Sequence, residues 1–309
     1  MSSPFVSYVI ATYNRRQSLA RVIESVLSQS YDNFEIVVVC NSTDSTPELF
    51  EDGRFSEHES IRYHHVDERL GVIRARNLGY ELADGEILVT VDDDAVFASP
   101  RTTANVVRLL EPDHVGIVAM KVVNGPDDTV EFPLPGSDLQ ERVPLLRPPM
   151  REPPADGPTR VTTFTGCGNA IHREVFETIG RFPPTFDYGS EELDFSLRAL
   201  DAGFDIVYSP DCRVIHYEDP AGRFTGDKIL KENLTNRLSM SIRNHPARYV
   251  VLSFFLWTTQ LLIRSGGDLS LLFDAYADLL SDLRWLLANR DPISDRTISR
   301  VNELGGRIY

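Results

Sequence analysis

The chain has 309 residues, 42% of them hydrophobic, and a formal net charge of -15 with a pI near 4.9. That length allows one large domain, or one domain plus an appendage, around a substantial core. So acidic a balance excludes the basic footprint that nucleic acid requires. Cys40, Cys167 and Cys212 are the only cysteines and form no Cys-x-x-Cys pair, so they indicate neither a disulfide framework nor a zinc site. Lysine occurs only at Lys121, Lys228 and Lys231, and arginine carries nearly all of the positive charge. An acidic, lysine-poor surface is what a very salty cytoplasm favours. The first apolar run is short and is followed by Arg15-Arg16, which does not resemble a signal peptide, so a reducing, cytoplasmic location is expected.

Val6 to Thr12 reads as a first strand, followed by the polar loop Tyr13-Asn14-Arg15-Arg16. Leu19, Val22, Ile23, Val26 and Leu27 then recur at the spacing of a helix buried along one face. Glu35 to Cys40 is a second buried strand, and Asn41 to Thr46 a turn and helix start rich in capping side chains. Ile61 to Val66 is a third strand, and Ile73 to Ala83 is helical and stops at Asp84-Gly85. This alternation predicts a mainly parallel sheet with right-handed crossovers. There is no G-x-G-x-x-G, which weakens a dinucleotide-binding dehydrogenase, and no G-x-x-x-x-G-K-[ST], which argues against a P-loop NTPase.

The next strand is the centre of the reading. Ile87 to Val91 is a largely apolar run, and it leads straight into Asp92-Asp93-Asp94. Three carboxylates at the edge of a core are costly unless a cation neutralises them. Hard oxygen ligands suit Mg2+ or Mn2+, and open α/β sheets bind ligands beyond the carboxyl ends of their strands. Asp92 and Asp94 are therefore candidate ligands of a divalent metal, and that metal would grip a diphosphate. The same residues also read as an acidic turn capping the next helix.

Val115 to Val123 is a further strand. Gly125 to Pro158, rich in Pro, Gly and Asp, reads as a long surface excursion, either a lid over a ligand site or an inert insertion. Thr165-Gly166-Cys167-Gly168-Asn169 is a glycine turn, or backbone approaching a ligand, with Cys167 as a small packing residue. Glu191-Glu192-Leu193-Asp194 begins a helix whose Leu193, Leu197 and Leu200 can face inward. Its carboxylates either cap the helix or include a general base. Asp205 to Ser209 and Arg213 to His216 read as two short strands, with His216 either structural or a ligand to metal or phosphate.

Beyond Tyr217 the character changes. Leu230, Leu234, Leu238 and Ile242 form a helical stripe, and Tyr249 to Ile263 is almost wholly apolar between Arg248 and Arg264. A helix of that length reaches about 22 Å at ~1.5 Å per residue, whereas a hydrocarbon core needs about 30 Å. An interfacial or core helix is expected rather than a spanning one. After Gly266-Gly267, Leu272, Tyr276, Leu279, Leu280, Leu283, Leu286 and Leu287 are expected on one face. This amphipathic pair fits a membrane surface or partner, or packing onto the main domain.

Taken together, these motifs resemble family 2 glycosyltransferases, inverting enzymes with the GT-A fold. The likeness spans roughly Val6 to His216. It rests on Ser7 to Arg15 as the opening strand and loop, Ser28-Gln29-Ser30-Tyr31, and Arg76-Asn77-Leu78-Gly79. Further along it rests on the acidic triplet as the DxD motif, Gly168-Asn169 as the acceptor-side turn, Glu191 to Asp194, and the closing Pro210 and His216. The resemblance implies an α/β, Rossmann-like, mostly parallel sheet flanked by helices, with a catalytic domain over 1–222 and a C-terminal helical, membrane-associating segment over 223–309.

It also implies Thr12, Tyr13, Asn14, Asn41, Arg76, Asp92 and Asp93 around a nucleotide-sugar donor, and Mn2+ or Mg2+ on Asp92, Asp94 and His216. Gly168 and Asn169 would lie on the acceptor side. Glu192 stands where the family's base usually lies, with Glu191 and Asp194 orienting it or positioning the acceptor. Two departures stand out: Cys40 replaces the Asp that often contacts the nucleotide base, and Glu192 is one methylene longer than the usual Asp, so either its backbone sits further back or Glu191 is the base instead. Lys231 to Arg237 resembles a helix of members that build cell-surface polymers or lipid-linked glycans. Peripheral attachment to the cytoplasmic membrane face and a polyprenyl- or dolichyl-phosphate-linked acceptor follow, and protein N-glycosylation of a surface layer is the natural pathway for a halophile. The competing readings are a sugar-phosphate nucleotidyltransferase, and a non-catalytic membrane-associated protein that binds nucleotide sugars.

Overall fold

The computed structural model describes residues 3–125, 129–130, 157–220 and 226–308. Strands β1 (Val6–Thr12), β2 (Phe34–Cys40), β3 (Ile61–His65) and β4 (Ile87–Thr90) pair in parallel in the order β3-β2-β1-β4. Alternate side chains of a strand face opposite ways, so β1 feeds two cores. Tyr8 and Ile10 join Leu19, Val22 and Ile23 of helix α1 (Arg16–Leu27). Val9 joins Val37 with Ile73 and Tyr80 of helix α3 (Val72–Leu82), which follows the short α2 (Glu48–Glu51). Burial on both faces is why β2 and β4 read as apolar runs, whereas β3, at the sheet's edge, is partly exposed and polar.

The second half of the sheet is mixed, unlike the mainly parallel expectation. β5 (Ala95–Phe97) leads to α4 (Thr102–Leu110), β6 (Val115–Asn124), β7 (Thr159–Val161), β8 (Asn169–His172) and β9 (Asp205–His216). The order continues β4-β8-β6-β9-β5, with β7 beside β9. β8 runs antiparallel to β4 and β6, and β5 and β7 run antiparallel to β9. One consequence governs the site: the loop entering β8 lies against the carboxyl end of β4. The two strands expected between Asp205 and His216 are one. Ser209 pairs with Met120 and Arg213 with Lys121, so Pro210-Asp211-Cys212 loop out of the ladder. Pro210 has no N–H to give it.

Helices α5 (Arg173–Ile179) and α6 (Glu191–Asp201) precede four more: α7 (Gly226–Asn244), α8 (Ala247–Arg264), α9 (Leu269–Ala288) and α10 (Asp295–Glu303). α7, α8 and α9 share a core of Leu234, Leu238, Ile242, Trp257, Leu261, Leu279 and Leu286. Leu280 and Leu287 are 66% and 56% exposed, so they leave the face expected of them. Adjacent helical residues point about 100° apart, and Leu279 and Leu286 take the inner positions. Among the described residues no helix is long and apolar enough to cross a membrane.

The expected division at residue 222 lies outside the described residues, as does most of the predicted excursion and its lid reading. The C-terminal stretch is not, however, one separate unit. Ile293, Ile298, Val301 and Ile308 pack into the same core as β8 and α6. Ser294 Oγ donates to Asp201 (2.8 Å) and Arg300 to the Leu200 carbonyl (3.0 Å). These apolar residues are too sparse in sequence to announce a core face.

Candidate active site

The loops after β1 and β2 form one edge of the site. Asn14 has a left-handed backbone, φ 55°, which Asn tolerates better than most residues. Its backbone N–H donates to Ser42 Oγ (2.8 Å), and its side-chain Oδ1 accepts from Thr43 N (2.8 Å). The Asn41 amide, oriented to match its neighbours, donates to the Thr12 carbonyl (3.1 Å) and accepts from Leu70 N (2.9 Å). The Arg69 guanidinium lies 4.6 Å from the centre of the Tyr13 ring. Thr12, Tyr13, Asn14 and Asn41 are thus gathered at adjacent strand ends, with Cys40 buried behind them.

The acidic triplet is divided between two arginines. Asp93 accepts from Arg15 at 2.7 Å, and Asp94 from the same guanidinium at 2.9 Å and from the Asp219 amide at 2.9 Å. Burial pushes Asp93 up to about 6, against the pull of Arg15 and with the push of Asp94. Burial also raises Asp94, but His216, Arg15 and the Asp219 amide outweigh it and hold this carboxyl below the usual range. Asp92, half-buried, pairs with Arg76. The β5–β9 ladder sets Ala95 opposite His216, which brings the imidazole beside Asp94.

These residues fit a divalent cation. Asp94 Oδ1 is buried and lies 3.0 Å from His216 Nε2. Neighbouring donors on an octahedral ion, each about 2.0–2.1 Å from it, lie about 3 Å apart. Asp92, Cys167 and His216 also bring one donor atom each within 4.8 Å of one another. The sequence reading grouped Asp92, Asp94 and His216; the structure sets His216 against Asp94 on one side and groups it with Asp92 and Cys167 on the other. Cys167 was read as packing only, and the glycines flanking it were its one signal.

Across from the acids, Gly189 and Ser190 take successive left-handed conformations, φ 78° and 70°, and turn the chain sharply into α6. Asn236 of α7 braces that turn by donating to the Tyr188 (2.8 Å) and Gly189 (3.0 Å) carbonyls. Glu191 is buried and lies 3.3 Å from Arg76, while its Oε2 has no partner. Burial and the adjacent Glu192 push it well above the carboxylate range, against Arg76. Glu192 is half-buried beside Gly166. A Cβ on Gly166 would lie 2.6 Å from Glu192 Oε1 and 2.7 Å from Arg76 Nη1, so any side chain there would have to displace the tips of both. Arg76 therefore joins Asp92 on one side of the cleft to Glu191 on the other, rather than serving the donor side alone.

Two expected acceptor-side residues shape the turn. Gly168, φ 99°, donates to the Thr90 carbonyl (3.2 Å). Asn169 donates to the carbonyls of Thr165 (2.8 Å) and Gly166 (3.3 Å), closing the loop on itself. Asp194 is a correction. Instead of standing beside Glu192 it is wholly buried, accepting from Arg198 Nε (2.9 Å), Arg243 (2.6 Å) and Asn244 (2.7 Å). Two residues along a helix is about 200° of turn, which carries its side chain away from that of Glu192.

The fold is of the GT-A type. The chain belongs to glycosyl transferase family 2: residues 7–180, more than half of it, match that family's model. Glycosyltransferase AglE of Haloferax volcanii is 29% identical over 225 residues, 71% of this chain and 69% of that protein. A glucosyl-dolichyl phosphate glucuronosyltransferase of the same organism is 30% identical over 124 residues, 40% of this chain and only 35% of that protein. The solved mannosyltransferase of Pyrobaculum calidifontis, in complex with GDP-Man and Mn2+, shares the fold at a TM-score of 0.59 and 20% identity, covering 98% of this chain and 85% of that one.

Proposed function

We propose that the protein is an inverting, metal-dependent glycosyltransferase. It moves a sugar from a nucleoside-diphosphate donor to a lipid-linked glycan in the assembly of surface-protein glycans. One observation carries this reading: the buried Asp94–His216 pair, with Asp92 beside it, is connected through Arg76 to the Glu191–Glu192 end of α6. Thr12, Asn14 and Asn41 surround the base and ribose. Asp92, Asp94 and His216 hold a divalent cation, which when bound offsets charge on the departing diphosphate. Glu192, the more exposed of the two glutamates, accepts the proton of the acceptor hydroxyl. That oxygen bonds to the anomeric carbon as the bond to diphosphate breaks on the opposite face, giving inversion. Glu191 and Arg76 position Glu192.

The dolichyl-phosphate relative and the outer face of α8 and α9 support a lipid-borne acceptor. Val251, Phe255, Ile263, Leu269, Phe273, Leu280 and Leu287 are exposed there, as a helix pair resting on the inner membrane face requires. The test is purified protein with Mn2+, a panel of nucleotide sugars and short polyprenyl- or dolichyl-phosphate saccharides. Acceptor-dependent release of nucleoside diphosphate with an inverted anomeric centre is expected. Retention, consumption of nucleoside triphosphate instead, or no turnover across the panel overturns the reading.

A further inference from the structure

Cys167 is held where a ligand would be. Thr90 of β4 pairs with Asn169 of β8, so the loop before β8 is laid beside Asp92. The loop is pinned on both flanks, since the Gly168 amide donates to Thr90 and its carbonyl accepts from Met120 N at 3.1 Å. Thr165 Oγ1 donates to the Cys167 carbonyl at 3.1 Å. Asp92, Cys167 and His216 come from three separate elements, yet their donor atoms lie within 4.8 Å of one another. Ligands on one zinc-sized ion lie about 3–4 Å apart, with metal bonds of about 2.0–2.3 Å, so small side-chain shifts close the set. Asp94 Oδ1 is buried and lies 3.0 Å from Nε2 of the same imidazole.

Resting on the metal-dependent reading above, we propose that Cys167 is a direct ligand of the site's cation. The thiolate makes the site prefer borderline ions such as Zn2+ or Co2+ to Mg2+. Oxygen ligands alone suit Mg2+, whereas a thiolate and an imidazole favour softer ions. On binding, the sulfur–metal bond replaces the S–H bond and the thiol proton passes to solvent. Cys40 and Cys212 are buried apart from this cluster and serve as controls.

The experiment is a Co2+ titration of the full chain, read by absorption. Wild-type protein is expected to show an intense near-ultraviolet thiolate-to-cobalt band. Cys40→Ala and Cys212→Ala keep it, and Cys167→Ser loses it. Zn2+ affinity is expected to drop at least about tenfold in Cys167→Ser, with Mg2+ affinity unchanged. The wild-type spectrum decides the matter even where a variant folds poorly. Co2+ bound with weak ligand-field bands only, or a band that survives in Cys167→Ser, overturns the thiolate and leaves the Asp92–Asp94–His216 site standing. No binding of Co2+, Zn2+ or Mn2+ overturns both readings.

Discussion

Glu191 and Asp194 are three residues apart on one helix and nearly equally buried, at 3% and 0% exposure. Their surroundings differ sharply. Asp194 receives hydrogen bonds from Arg198, Arg243 and Asn244, and so fastens α6 to α7. Glu191 has one 3.3 Å contact with Arg76, an oxygen without a partner, and a proton affinity driven upward by burial and by Glu192. A buried carboxylate with too few partners is destabilising, and such groups gather where chemistry is done. The fully satisfied acid is architecture, and the unsatisfied one marks the cleft.

The contrast breaks first on Glu192→Gln. Turnover is expected to fall about 10²–10⁴-fold, with donor Kd and melting temperature unchanged. If Glu191→Gln is the dead variant and Glu192→Gln stays active, the two have been assigned the wrong way round. On the architectural side, Arg243→Met leaves Asp194 buried with fewer partners. A loss of about 3–5 kcal/mol in urea unfolding is expected, with activity per folded molecule retained. A change under about 1 kcal/mol would make the clamp ornamental.

The corner between α7 and α8 sharpens the comparison by pH. His245 is 1% exposed and neither ring nitrogen has a hydrogen-bond partner. Burial, then Arg237 and Arg290, bring it from an ordinary 6.5 down to about 4, against the pull of Asp194. A depressed pKa means that the unfolded chain binds the proton more readily. Stability from this group is therefore present above pH 6.5 and lost as pH falls toward 4. Between pH 7 and 5 the loss is about 2 kcal/mol, and His245→Phe should flatten that part of the urea-midpoint profile. The smallest effect on chemistry is expected from Phe255→Ser with Phe273→Ser. Flotation with anionic vesicles should be lost, while rates on a water-soluble acceptor analogue stay within about twofold. Undiminished flotation would move the membrane contact elsewhere.

What the sequence made legible was local. Ile87 to Val91 announced a buried strand, and the aspartates after it announced a site, because both signals are contiguous. Asp194 was misassigned because Arg243 and Asn244, its true partners, lie two helices' length away along the chain. β9 was read as two strands because Pro210 interrupts the pattern without ending the ladder. Cys167 joined the site only through the reversed direction of β8, which nothing in its own neighbourhood encodes. The left-handed Ser190 was equally silent, since serine carries no mark of that conformation.

The looped-out Pro210-Asp211-Cys212 acts as slack in a taut line. Extra or missing residues there can be taken up without moving either half of β9. Between Arg213 and His216 there is no such slack, because the Ala95–His216 pairing counts residues one by one. A single deletion in that short span would rotate the imidazole to the opposite side of the sheet, silencing the protein with every ligand still encoded. Chain length just before His216 is therefore under the same constraint as the histidine itself.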